Sequence, residues 1–344
     1  MRPVLTLLAA VLGMLPGTAR DLPAPRAPRL LSQTGLYAAP GRVDTRNRPY
    51  APQYPLWSDG AAKSRWVRLP EGAAIDGREE DAWTFPVGTK FWKEFRFHGR
   101  KVETRFLWHA RPRTWVFASY AWNATQTEAT LVPDEGLPDV AEITPGLRHS
   151  IPGVTDCRTC HGNGRTEPLG FTALQLSPDR DPGAIHGEPL QPGMLTLAEL
   201  VAAGRLRHAR PDLLVNPPRI RATDPDTRAV LGYLAANCGA CHRRDQPIDG
   251  LDLDFRHVHA AAGVPEPGQA STVGRPSRFT LPGEAPGRSH RILPGEAGHS
   301  TVPYRMASRR PTSQMPPLGS VLADREALDR LRAWIDAGAG TRSR

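Results

Sequence analysis

Two short stretches of the chain contain residues whose types and spacing are suited to covalent or metal chemistry. The segments CRTCH (157–161) and CGACH (238–242) share the pattern Cys-x-x-Cys-His, and together they contain all four cysteines. The pattern has four interpretations: a redox dithiol, part of a zinc site, a set of disulfide partners, or an attachment site for haem.

The haem interpretation accounts for every residue of the pattern. Two cysteines three positions apart lie on one face of a helical turn, so both thiols can reach the two vinyl groups of one porphyrin, and the next histidine can bind iron. With 11 histidines in 344 residues, one directly after both pairs is not expected by chance. We therefore predict two covalently bound haem c groups. Their attachment residues and proximal iron ligands are Cys157, Cys160 and His161, and Cys238, Cys241 and His242.

The other interpretations explain less of the pattern. A thioredoxin-like dithiol needs one pair near a βαβ unit, and neither pair has one beside it. A structural zinc site could use the four cysteines but would leave both histidines without a role. Disulfides suit a secreted chain, yet two pairs this tight would cross-link little of it.

The sixth ligand of the second iron is predicted to be a methionine. A methionine thioether favours the ferrous state and raises the reduction potential. Met315 lies in SQMPPLG (313–319), a proline-stiffened loop just before the last predicted helix. We predict Met315 as the distal ligand of the haem at Cys238 and Cys241, with Met306 as the fallback.

The sixth ligand of the first iron stays open among several candidates. They are Met194 in QPGMLT, His186 in AIHGEP and His149 in LRHSIPG. An unfilled sixth position is the remaining alternative, and it would give peroxide or oxygen access to the iron.

The elements that must position these residues change type along the chain. Between about residues 54 and 135, apolar and polar residues alternate as in half-buried strands. Seven of the eight tryptophans lie between residues 57 and 122, so we expect an antiparallel sheet or sandwich there. The clearest alternating stretches are RWVRLP (65–70), TKFWKEFRF (89–97), KVETRFLWH (101–109) and TWVFASYAW (114–122).

From about residue 146 the pattern becomes helical, with long loops. Thr196 and Glu199 form a capping box at the start of one helix. Asp224 caps a second helix, with Pro225 at its first position. A third helix near the end of the chain has a single apolar face before Gly338, made by Leu328, Leu331, Trp334 and Ile335.

The beginning of the chain and its overall charge bear on location and partners. Residues 1–19 predict a secretory signal peptide, with Arg2 ahead of an apolar run and small residues before the cut. No later stretch reaches 18 uninterrupted apolar residues, so we expect no membrane span after its removal. The net charge is +9, but basic residues are scattered among acids, so the chain lacks a nucleic-acid-binding arm.

Two parts of the chain carry a resemblance to a known family. The segment from Ile292 to Ala339, together with LAANCGACH (234–242), resembles the C-terminal part of planctomycete-type cytochrome c domains. In that family the iron ligands match His242 and Met315. The chain from about residue 50 to 340 also resembles bacterial periplasmic dihaem c-type cytochromes with an N-terminal β-rich segment. Within the β-rich segment the likeness rests on the general pattern of residues, as in YPLWSDGAAKSRWVRLPEG, and not on a specific motif.

The resemblance implies an α+β multidomain protein, in which an N-terminal antiparallel β-rich domain precedes two mainly α cytochrome c-like haem domains. The expected divisions are a signal peptide (1–19), an extended lead-in (20–53), a β-rich domain (54–145), a first haem c region (146–216) and a second cytochrome c domain (217–344). The implied function is periplasmic electron transfer with redox partner proteins, a dehydrogenase on one side and an oxidase or carrier on the other. A dihaem peroxidase-like enzyme and a haem-based sensor are the alternatives.

Overall fold

The structure is a computed structural model that describes residues 23–161, 168–222, 224–245, 248–260 and 263–341. The predicted signal peptide lies outside these residues. The strands are β1 (Tyr37–Ala39), β2 (Arg42–Val43), β3 (Arg48–Pro49), β4 (Ala62–Arg68), β5 (Ile75–Asp76), β6 (Lys90–Phe97), β7 (Arg100–Arg111), β8 (Thr114–Trp122), β9 (Ala129–Leu131), β10 (Gly136–Thr144), β11 (Leu147–Pro152) and β12 (Leu206–Arg207). The helices are α1 (Val154–His161), α2 (Leu197–Ala202), α3 (Pro225–Cys238), α4 (Pro267–Thr272), α5 (Thr301–Ala307) and α6 (Arg325–Asp336).

A six-stranded antiparallel sheet, called here the main sheet, forms the centre of the N-terminal half. Its strand order is β3-β4-β6-β7-β8-β9. The four alternating sequence stretches lie in β4, β6, β7 and β8 as predicted. The hairpin β10–β11 follows the main sheet and leads directly into α1.

The two faces of the main sheet bury different cores, because successive side chains on a strand point to opposite faces. On one face, Trp92 and Phe106 pack with Leu31 and Leu36 from the beginning of the described chain. On the other face, Phe91 packs with a group that continues into residues 171–213. The face that contains Phe91 also faces the two Cys-x-x-Cys-His segments.

The helices of the C-terminal half pack around α3 and α6. The capping box at Thr196, the cap at Asp224 and the first-position Pro225 all form as predicted. The predicted apolar face of α6 is buried against α3, and the Trp334 indole donates a hydrogen bond to the Thr227 hydroxyl (2.8 Å). Tyr54, from the segment before β4, lies in the same core.

The predicted fold class is wrong in its C-terminal half. The described chain is β-rich, with the main sheet, three two-stranded sheets and six short helices of 6 to 14 residues. It does not contain two mainly α cytochrome domains. The sequence after residue 146 is dense in glycine and proline, which end helices after a few turns, so turns and extended segments occupy most of the space expected to be helical.

Gly232 in α3 lies against the Tyr54 ring, where the N-terminal and C-terminal halves pack together. Replacing this glycine tests the packing. A Cβ atom there would lie less than 3.0 Å from three atoms of the Tyr54 ring. Alanine favours a helix over glycine by about 1 kcal/mol, but overpacking a dense core costs about 1–3 kcal/mol. We expect Gly232→Ala to lower the free energy of unfolding, measured by urea denaturation. Gly298→Ala is the control, since nothing lies within 4 Å of its Cβ position; equal stability of both variants would contradict this packing.

Among the helices of the described chain, none is both long enough and apolar enough to cross a membrane.

Candidate functional site

Both Cys-x-x-Cys-His segments open onto one cleft between the main sheet and the C-terminal helices. All four cysteines and both histidines line it. The cleft is open to solvent on one side, and most of its lining is apolar. The two segments therefore belong to one site, although the sequence assigned them to separate regions (146–216 and 217–344).

The first segment is held against the cleft-facing side of the main sheet. Cys157 and Cys160 both lie in α1, one turn apart. The Cys157 thiol interacts with the Ser119 hydroxyl of β8, and burial raises the pKa of this thiol. The His161 ring lies 5.5 Å from the Phe117 ring, centroid to centroid. The sheet thus forms a wall behind this segment.

The second segment continues from the end of α3. Cys238 is the last residue of the helix, and the backbone N–H of His242 donates to its carbonyl (2.9 Å). Burial, with smaller contributions from Arg305 and Arg291, lowers the pKa of His242 to about 4. Its imidazole is therefore neutral near pH 7, the form that binds a metal ion.

The two segments meet at their second cysteines. The Cys160 and Cys241 thiols lie close enough to interact, and this interaction lowers the pKa of Cys241 and raises that of Cys160. All four cysteines are free thiols and partly buried. The interaction thus brings together two cysteines that are 81 positions apart in the sequence.

Two methionines line the cleft, and their surroundings differ. Met306 lies in α5 and packs against the core around α3 and α6. Met315 is half-buried and lines the cleft without belonging to that core, and its backbone N–H donates to the Arg305 carbonyl (2.9 Å). This difference favours Met315 as an available ligand and Met306 as a packing residue.

The loop after Met315 is tied to the segment before β4. One carboxylate oxygen of Asp59 accepts hydrogen bonds from the backbone N–H groups of Val321 (2.8 Å) and Leu322 (2.9 Å). The Trp57 indole donates to the Leu322 carbonyl (3.0 Å), and its backbone N–H donates to Asn237, directly before Cys238 (2.7 Å). One short segment thus fixes the methionine loop relative to the second cysteine pair.

Asp59 also belongs to a buried chain of charges that leads back to the first cysteine pair. His149 lies between Asp59 (3.7 Å) and Glu103 (3.0 Å), and Glu103 pairs with Arg105 (2.7 Å). Burial alone would raise the pKa of Glu103, but Arg105 and His149 overcome it and lower it to about 2. Burial alone would lower the pKa of His149, but the two carboxylates raise it.

The three residues predicted as alternatives for the first iron's sixth ligand lie away from the cleft lining. His149 is held in the buried charge chain, and the His186 ring binds Asp324 (2.8 Å) and stacks near Trp57. The Met194 sulfur accepts a hydrogen bond from the Gln191 backbone N–H (3.4 Å).

The residues present fit haem better than zinc. Among the residues that the structure describes, no group of three or more His, Cys, Asp or Glu side chains is placed to hold a metal ion, so the four thiols do not form a tetrahedral set. A haem iron needs only one or two protein ligands, because the porphyrin supplies four. Free thiols in pairs, a neutral histidine and a methionine on a fixed loop satisfy that need, and the lining is mostly apolar.

Sequence reasoning missed the charged residues of the cleft. Lys93 and Arg105 of the main sheet line it, as does Arg309 beside the methionine loop. Arg309 donates to the Met306 carbonyl, while its Nε atom is buried without a partner. One signal was present for Lys93: it interrupts the apolar face made by Phe91, Phe95 and other odd-numbered residues of β6.

Comparisons with protein-family models, with curated proteins and with solved structures find no match for this chain.

Proposed function

We propose that the protein is a periplasmic dihaem cytochrome c that transfers electrons between redox partner proteins. The observation that carries the proposal is the convergence of both Cys-x-x-Cys-His segments on one cleft, with Cys160 and Cys241 in contact. Haem supplies a ferric/ferrous couple when bound. Electron transfer between two haems requires them to be close together. Cys160 and Cys241, which would each attach one haem, lie next to each other.

The chain's own residues supply attachment, iron ligation and a low-dielectric surround. The two cysteine pairs would attach the haems by adding their thiols across the vinyl groups, and His161 and His242 would bind the irons. Met315 would supply a thioether ligand to the second iron, from a loop that Trp57 and Asp59 hold in place. A fixed axial ligand and a mostly apolar wall favour a raised potential.

The first test is the intact mass and visible spectrum of the protein exported from a host with cytochrome c maturation machinery. We expect two added haem masses, ferrous α-bands, and a ferric band near the red end of the spectrum that reports a Met–iron bond. Variants with both cysteines of one pair replaced by alanine should each lose one haem mass and keep the other.

The cysteine variants serve as controls for each other, since each leaves the second pair intact. A colourless wild-type protein with no added haem, and with oxidised or zinc-bound cysteines, would overturn the proposal.

A second candidate is a dihaem peroxidase-like enzyme. One observation favours it: none of Met194, His186 and His149 lines the cleft, so the first iron lacks the sixth ligands expected from the sequence. A high-spin ferric signal in the resting protein, together with peroxide turnover, would support this candidate over the pure carrier. A fully low-spin ferric spectrum would support the carrier.

A further inference from the structure

A row of cations crosses the cleft-facing side of the main sheet. The strand register pairs Arg65 with Lys93, Lys93 with Arg105, and Arg105 with Ser119. We call Arg65, Lys93 and Arg105 the basic row. Like charges directly opposite each other on neighbouring strands are destabilising, so such a row requires anions nearby.

The chain supplies anions to the two ends of the row but not to its centre. Glu188 pairs with Arg65 (2.7 Å), and Glu103 pairs with Arg105 (2.7 Å). Lys93 has no hydrogen bond or ion pair to any described residue, and its Nζ atom lies 5.0 Å over the Phe95 ring. Lys93 is half-buried, and taking an ammonium partly out of water without a counter-ion is unfavourable.

The pKa of Lys93 reflects the missing counter-ion. Burial lowers the pKa of Lys93 well below its ordinary value, and the neighbouring cations Arg65, Lys63 and Arg105 lower it further. The Glu103 carboxylate acts in the opposite direction, but it already pairs with Arg105 and His149. Because Lys93 also lines the cleft, a bound group there is the available source of a counter-ion.

The position of Lys93 relative to the first cysteine pair indicates which group this is. Cys157 contacts Ser119 at the end of the register row. Lys93 lies two strands further across the sheet, about 10 Å at the usual strand spacing, and Arg105 lies between them, close enough to interact with both thiols. A porphyrin carries its vinyl groups on one edge and its two propionates on the opposite edge.

We propose that Lys93, assisted by Arg105, binds a propionate of the haem attached at Cys157 and Cys160. This inference rests on the proposed function. The β-rich half of the chain would then complete the first haem site by neutralising the acidic edge of the cofactor.

Replacing Lys93 tests the contact through the haem potential. A nearby cation disfavours the more positive ferric state, so Lys93→Gln should lower the reduction potential of the first haem. Loss of the cation also raises the propionate pKa, so the pH at which this potential falls should move upward. Both are measured by spectroelectrochemical titration of the full-length dihaem protein, with the red Met–iron band marking the second haem.

Two variants make the result specific. Lys93→Arg keeps the charge and should retain the wild-type potential and pH dependence. Lys90→Gln removes a lysine from the same strand but the opposite face, where Lys90 donates to the Thr34 carbonyl (2.8 Å), and it should leave the first haem unchanged.

The possible failures are distinguishable. A wild-type protein with no attached haem by intact mass overturns the proposed function itself. Attached haem with Lys93→Gln matching wild type in potential and pH dependence overturns this inference alone. A wild-type potential that responds to added inorganic phosphate, with the response abolished in Lys93→Gln, also overturns it, because the site would then be taking a free anion.

Discussion

For the proposed dihaem protein, Met315→Ala is expected to abolish the red ferric band and to lower the reduction potential of one haem. The reason is that a thioether stabilises ferrous iron, and alanine leaves the position to water or to nothing. We expect a drop on the order of 0.1 V, well inside the range of about 0.8 V over which axial ligands set haem potentials. Visible spectroscopy and a potentiometric titration measure both changes.

The other two methionines of the described chain provide the controls. Met306→Ala removes a residue packed in the α3–α6 core, so it should lower stability while leaving the red band. Met194→Ala changes a residue outside the cleft lining and should leave both the band and the potentials unchanged. If Met306→Ala removes the band and Met315→Ala does not, the ligand assignment is reversed.

Glu103→Gln is expected to lower the free energy of unfolding by about 3–5 kcal/mol, the usual cost of breaking a buried ion pair. Glu103 is completely buried and serves two cationic partners, Arg105 and His149. The glutamine keeps the shape but leaves these charges without their carboxylate. Chemical denaturation at pH 6 measures the difference. Glu142→Gln, at an exposed position of β10, should change stability by no more than about 0.5 kcal/mol.

The pH dependence of this variant follows from the two opposite pKa shifts. The pKa of Glu103 is lowered to about 2, so its stabilisation is present above the ordinary value of 4.5 and is lost as pH falls towards 2. The pKa of His149 is raised above its ordinary value of 6.5, so its stabilisation is present below pH 6.5 and is lost as pH rises through the folded value. The stability difference between wild type and Glu103→Gln should therefore be largest between about pH 4.5 and 6.5. A pH-independent difference would contradict the charge chain.

Local structure could be predicted from the sequence wherever one pattern repeats. Alternation in TKFWKEFRF placed β6, and the capping signals at Thr196 and Asp224 placed the starts of α2 and α3. The predicted fold class was wrong because the Cys-x-x-Cys-His pattern determines the structure of only one helical turn. The expected mainly α regions instead follow their glycine and proline content into turns and short extended segments.

The composition of the cleft could not be predicted, because it depends on contacts far apart in the chain. Nothing local to Cys160 indicates that Cys241 is its neighbour. His186 and His149 were predicted as candidate ligands because the sequence around a single histidine does not show which residues it contacts in the fold. In the structure, carboxylates hold both rings, Asp324 in one case and Glu103 in the other.

The position of Tyr54 determines what can be cut out of this protein or exchanged with another. The region predicted to be a separate second domain (217–344) cannot be moved to another protein by itself, because Tyr54 packs inside its core. The Tyr54 hydroxyl is anchored on Asp181 (3.1 Å), from yet another part of the chain. A fragment beginning at residue 217 would open a hole the size of a tyrosine ring beside α3. Grafts between such proteins should therefore carry the residues around Tyr54 with the C-terminal half.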